Sequence, residues 1–135
     1  MKIEIKKLGE EVICDAYVQS NALNNTESLK QMCLAALKKG DCHVVGDKIL
    51  AYQFPKDDNM EQGCARHEGE GVTILIIIEE SHFHISTWPE HNFIQINVNT
   101  CGHIAKPMIA IGYLLYELKV ITSSLQVIER GVPLK

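Results

Sequence analysis

Between residues 26 and 39, apolar side chains recur every three or four positions. Leu29, Met32, Cys33, Ala36 and Leu37 fall at i, i+3, i+4, i+7 and i+8, the stripe of a helix with one buried face. Asn25 or Thr26 can cap its start, Lys38 and Lys39 oppose the negative charge of its last turn, and Gly40 supplies the stop. A second helix is expected after Gly102, with Pro107 in its first turn. Met108, Ile111, Leu115 and Leu118 form its inner stripe, which Leu114 widens.

The remaining periodicity is that of strands. Residues 12–18 are rich in β-branched and aromatic side chains. Residues 43–45 and 48–54 predict two short strands, or one strand broken at Gly46-Asp47. Residues 72–78 form a nearly continuous apolar run, expected to be buried on both faces. Residues 81–88 alternate: His82, His84 and Ser86 point one way, Phe83, Ile85 and Thr87 the other. After a turn at 89–92, residues 93–99 alternate again, with Ile94, Ile96 and Val98 opposite Gln95, Asn97 and Asn99. Residues 120–128 close the pattern. Residues 55–71 are polar and carry three glycines, a long connection that points to function or mobility. The order β, α, several β, α, β, with short links, predicts an α+β two-layer sandwich. In it an antiparallel sheet carries both helices on one face and leaves the other to a partner.

Composition adds limits. A chain of 135 residues, 46% hydrophobic and 22% charged, is the size and balance of one folded domain. Its formal charge of -4 and lack of a basic run argue against nucleic-acid or anionic-membrane partners. The longest apolar stretch, residues 74–78, is too short to span a bilayer, and the lysine-rich start lacks the apolar core of a secretion signal. Five cysteines, an odd number without CxxC spacing, read as reduced thiols and imply a cytoplasmic protein. Cys14 and Cys33 fall on apolar faces, where a thiol is a small hydrophobe.

The densest polar cluster is Glu79-Glu80-Ser81-His82 with His84, Ser86, Glu90, Cys101 and His103. A solvated turn between strands is the plain reading. His82 and His84 on one strand face, with Cys101 and His103, also make an acceptable zinc set, though the motif is short and common. We assign no metal to it.

Three motifs in order, Glu80-Ser81-His82, Thr87-Trp88-Pro89-Glu90 and Thr100-Cys101-Gly102, resemble the small bacterial and archaeal S-adenosylmethionine decarboxylases. The spacing matches without gaps from Val72 to Gly102, with looser agreement in the flanks. The resemblance implies a proenzyme that cuts itself between Glu80 and Ser81, into residues 1–80 and 81–135. Ser81 would then become a pyruvoyl group, whose ketone forms a Schiff base with the substrate amine and withdraws the electrons released with carbon dioxide. It further implies that Cys101 donates the proton in decarboxylation, that Glu90 holds the substrate ribose, and that the working unit is a homodimer forming a larger α/β sandwich. Thr73 takes the family's processing hydroxyl.

The chain also departs from the family. Ser86 stands where the family has its processing histidine, and His84, on the same strand face, is the expected replacement base, with His82 as competitor. Counted without gaps, His67 takes the place of the ring that meets adenine, within an acidic segment containing Glu68 and Glu70. Decarboxylation of S-adenosylmethionine is the first reading. Glu68, Glu70 and Glu90, with Glu80 nearby, would equally suit a basic amino acid such as arginine or ornithine. An uncleaved partner subunit or metal-binding paralogue is the reading from another class.

Overall fold

The computed structural model describes residues 4–55 and 70–134. His67, Glu68 and Cys64 lie outside the described residues. The elements are β1 (Glu4–Val18), α1 (Thr26–Lys39), β2 (Val44–Gln53), β3 (Val72–Ile78), β4 (Ser81–Trp88), β5 (Phe93–Cys101), α2 (Pro107–Glu117) and β6 (Val120–Leu134). A single 3-10 turn, Pro89–His91, joins β4 to β5. The strands make one six-stranded sheet in the order β2-β3-β4-β5-β1-β6, every neighbouring pair antiparallel.

Alternation divides the sheet into two faces. Val12, Cys14 and Ala16 of β1, Ile74 and Ile76 of β3, Phe83 and Ile85 of β4, and Ile94, Ile96 and Val98 of β5 are buried. They form one core with Leu29, Cys33, Ala36 and Leu37 of α1 and with Ile111, Leu114 and Leu115 of α2. Both helices therefore lie on one face, as the pattern predicts. Helix α1 has the expected bounds, and the Asn25 side chain caps it by accepting from the Ser28 N–H at 3.0 Å.

Three expectations need correction, and one alternative left open is settled. Strand β3 is not buried on both faces: Leu75 and Ile77 are 45% and 52% exposed, because helices cover only one side. In α2, Met108 is exposed and Ala110 is buried instead, since the helix turns its Pro107-Ala110-Ile111-Leu114 side to the sheet. Strands β1 and β6 run 15 residues each, longer than their apolar stretches, because each supplies the other's backbone hydrogen bonds. Residues 44–53 are one strand with an interruption. Val44 pairs with Ile78, but the next pair is Ile49 with Ile76, so residues 45–48 bulge out opposite Ile77, with Gly46 at φ 53°.

The buried threonines are structural. Thr87 Oγ1 donates to the Leu23 carbonyl at 2.6 Å and accepts from the Val72 N–H at 2.9 Å, tying the segment before α1 to the sheet. Gly9 marks the closest approach of β1 to β5, where an added Cβ would lie 1.9 Å from the Thr100 carbonyl oxygen.

Stability should follow this layout when measured by urea unfolding on a Ser81→Ala chain, which cannot cut itself. Phe83 is 1% exposed, and its truncation to Ala is expected to cost about 3–5 kcal/mol. Gly112→Ala adds a methyl that meets nothing within 4 Å, and is expected to stabilise α2 by up to about 1 kcal/mol.

Candidate active site

Glu79 and Glu80 form the two-residue turn of the β3–β4 hairpin, closed by the pair Ile78↔Ser81, and Ser81 also pairs with Thr100 of β5. Two-residue hairpins favour turns with positive φ, which match the strand twist. Neither glutamate has one; the positive φ falls on Ser81, at 153°. A side chain in that region is strained, on the order of 1–3 kcal/mol. The strain thus sits on the nitrogen side of the Glu80–Ser81 peptide bond.

That bond is held from several directions. The Glu80 carbonyl accepts a hydrogen bond from the Cys101 backbone N–H at 2.8 Å. The Glu80 carboxylate accepts from the His43 N–H at 2.8 Å and lies 2.7 Å from His43 Nδ1. Partial burial opposes ionisation of Glu80, but the His43 hydrogen bonds outweigh it and hold the carboxyl below the usual range. Conversely, the hydrogen bond to Glu80 and its charge raise the His43 imidazole above its ordinary value. Ser81 Oγ lies 3.0 Å from His82 Nδ1. Gly102, at φ 73°, lets the chain turn out of β5 straight after Cys101, and its N–H reaches the Leu8 carbonyl at 3.3 Å.

A second polar group occupies the same open face further along β4. His84 Nε2 is 2.8 Å from Ser86 Oγ, which is 2.8 Å from Thr73 Oγ1 across the β3–β4 ladder. Burial, and then the charge of His82, lower the His84 pKa, which favours the neutral imidazole that can accept a proton. Ser86 lies five residues from Ser81, about 16 Å along the strand. Within one chain, therefore, His82 and not His84 meets the Ser81 hydroxyl. Glu90 sits beyond that far end, in the 3-10 turn, and its Oε2 is buried with no hydrogen-bond partner among the described residues.

Two aromatic groups stand at this end as well. Tyr52 pairs with Thr73, and Phe54 donates its backbone N–H to the Gly71 carbonyl at 2.8 Å; their rings meet edge-on, 4.9 Å apart. Phe93 packs against Trp88 and Tyr17 at 5.7 and 5.3 Å. His67, the residue that gapless counting sets at the ring position before Thr73, lies outside the described residues. Among the described residues, Phe54 is the ring beside Gly71. Both rings are present in the sequence as Tyr52-Gln53-Phe54-Pro55, but only strand pairing shows that Tyr52 returns to Thr73 and Phe54 to Gly71. Glu70 is described and exposed, at the start of β3.

Next to His82, the β2 bulge opens a cleft of about 580 Å³ lined by Lys48, Leu50, Leu75 and Ile77 among others, the size of a small-molecule site. The four residues of the suggested zinc set do not converge. Among the described residues the ligand atoms that gather within 4.8 Å are those of His43, Glu79 and Glu80.

Comparison with known proteins gives this geometry its relatives. Residues 10–131 match the S-adenosylmethionine decarboxylase family model. The chain is 32% identical over 118 residues to the S-adenosylmethionine decarboxylase proenzyme of Brevibacillus brevis, covering 87% of this chain and 77% of that protein. It is 28% identical over 114 residues to the arginine decarboxylase proenzyme of Caldivirga maquilingensis, covering 84% and 76%. The crystal structure of the adenosylmethionine decarboxylase from Aquifex aeolicus superposes with a TM-score of 0.76 at 27% identity, over 94% of this chain and 93% of that one. With a match over nearly its whole length and the Glu-Ser hairpin, the Thr-Trp-Pro-Glu turn and the Thr-Cys-Gly strand end in place, the chain belongs to the S-adenosylmethionine decarboxylase family.

Proposed function

We propose that this protein cuts itself between Glu80 and Ser81, gains a pyruvoyl group from Ser81, and decarboxylates S-adenosylmethionine. The observation that carries the reading is the strained Ser81 beside a Glu80 carbonyl already bonded to the Cys101 N–H. Ser81 Oγ attacks that carbonyl carbon while His82 Nδ1, 3.0 Å away, takes the hydroxyl proton. The Cys101 N–H stabilises the oxyanion as it forms. The amide C–N bond then breaks, the proton passes to the freed amine, and the residues are joined by an ester. Removal of the Ser81 Cα proton expels the Glu80 carboxylate by breaking the Cβ–Oγ bond. Water hydrolyses the resulting enamine, through its imine, to pyruvoyl and ammonia.

The pyruvoyl ketone supplies the electron sink for loss of carbon dioxide. Around it, Cys101 offers the exposed thiol for protonating the product carbon, and the unpaired Glu90 oxygen offers an acceptor for the substrate's ribose hydroxyls. Tyr52 and Phe54 offer flat rings for adenine, which favours S-adenosylmethionine over the basic amino acid suggested by the Caldivirga maquilingensis relative.

Ser81 and Cys101 lie at one end of β4, whereas Thr73, His84, Ser86 and Glu90 lie at the other. A complete site therefore needs two copies of the chain, each lending the second group to its partner's Ser81. In that homodimer His84, through Ser86 and Thr73, serves the Cα proton step. Exposed Leu75 and Ile77 give the interface an apolar margin, and Gln95, Asn97 and Asn99 make its centre wet. No helix among the described residues is long and apolar enough to cross a membrane, and a cytoplasmic setting suits the free thiols.

Intact-mass measurement is expected to show chains of 1–80 and 81–135, and a single uncut mass after long incubation would refute self-processing. Cys101→Ala keeps the backbone N–H, so cleavage is expected to persist while carbon dioxide release falls. Phe54→Ala is expected to raise KM for S-adenosylmethionine about tenfold, the equivalent of ~1.4 kcal/mol. Turnover of arginine in its place would favour the alternative substrate.

Co-expressing Ser81→Ala with a chain carrying His84→Ala and Ser86→Ala is expected to restore cleavage of the second chain. Lack of restoration would count against the shared site.

Thiol alkylation at pH 8 is a further check. Burial raises the Cys14, Cys33 and Cys42 thiols to about 11, 12 and 11. Among these and Cys101, only Cys101 is expected to react in the folded protein.

A further inference from the structure

We infer that His43 is a positioning residue for self-cleavage, holding the Glu79-Glu80 turn so that the Glu80 carbonyl stays on the Cys101 N–H while Ser81 remains strained. The inference rests on the self-processing reading above and adds to it a residue outside all three motifs.

The sheet leaves this turn weakly supported. On the β2 side, the pair Val44↔Ile78 stands alone, because residues 45–48 bulge away before pairing resumes at Ile49↔Ile76. The hairpin end of β3 would be free to relax were it held by that pair only. His43, the residue before β2, makes good the gap with three hydrogen bonds. Its carbonyl accepts from the Glu79 N–H at 2.7 Å, its N–H donates to Glu80 Oε1 at 2.8 Å, and its Nδ1 meets Glu80 Oε2 at 2.7 Å. Glu80 is thereby fixed through its side chain by β2 and through its carbonyl by β5. Between these anchors the peptide has little freedom to rotate, and Ser81 φ, at 153°, cannot relax to a negative value without breaking one of them.

Two of the three bonds come from the His43 backbone and survive any substitution of His43 except proline. The imidazole adds the one that aligns the carboxylate, a hydrogen bond to a charged acceptor. Asn has a side-chain amide that can donate from nearly the same place as Nδ1, whereas Ala cannot. Glu80→Gln removes the charge from the other partner. If the imidazole acts through Glu80, the two losses describe one interaction and do not add.

The test is a time course of cleavage for freshly translated full-length chain in a cell-free system, read by intact mass. Relative to the unmodified chain, His43→Ala and Glu80→Gln are each expected to slow cleavage about tenfold, the double variant about as much as either alone, and His43→Asn by less than about threefold. Melting of each variant in the Ser81→Ala chain shows which are folded. Should His43→Ala fail to fold, His43→Gln, whose amide reaches past Nδ1, takes its place and is expected to cleave more slowly than His43→Asn. Cleavage of the folded His43→Ala chain at the unmodified rate, or multiplicative losses in the double variant, would overturn the inference and leave self-processing intact. An unmodified chain that never cleaves would overturn both.

Discussion

A single backbone angle organises this molecule. Ser81 is held at a φ that side chains avoid, at the tip of a hairpin whose two turn residues both keep negative φ. Such a conformation persists only where its surroundings over-determine it. Here the surroundings are the β4–β5 register, which sets Thr100 beside Ser81, and the Cys101 N–H on the Glu80 carbonyl. Further out, Gly9 lets β1 approach β5 at this level, since a larger residue would strike the Thr100 carbonyl. The residues nearest the Glu80–Ser81 bond are thus supported by three strands from different parts of the chain.

The two faces of the sheet have divided the work. The covered face buries isoleucine, valine and phenylalanine against both helices, with its buried threonines bonded to backbone carbonyls. The open face carries almost all the chemistry. Arg130 and Asn97 both bind the Glu11 carboxylate there. The Asn97 hydrogen bond, aided by Arg130 and opposed by burial, holds Glu11 below the usual carboxylate range. Charged and hydroxyl side chains can line this face because no helix covers it. For the same reason the functional groups are spread along it, not gathered in a pocket closed by the chain itself.

The histidines show how position sets role on one scaffold. His43 is exposed and hydrogen-bonded to a carboxylate, which raises its pKa above the ordinary value. His84 is half-buried among hydroxyls and near another histidine, so it sheds its proton more readily. His82 meets the Ser81 hydroxyl. Composition treats the three alike; their neighbours separate them.

Much of this was legible in the sequence by itself. Period-3.6 and period-2 patterns determined α1, β4, β5 and the face each side chain takes, because one-sided burial writes its periodicity directly into residue type. The three motifs identified the family. What the sequence left open depends on pairing between distant segments. The apolar run of β3 read as doubly buried, because hydrophobicity does not report whether a second layer is present. His43 carried no signal, since 37 residues separate it from Glu80 and only the β2–β3 ladder closes that distance. Phe54 carried no signal either, because only the pairing of β2 with β3 at Gln53↔Val72 brings it back to Gly71. The strain on Ser81 was likewise invisible, because a φ angle is set by the strands that hold the residue and not by its own side chain.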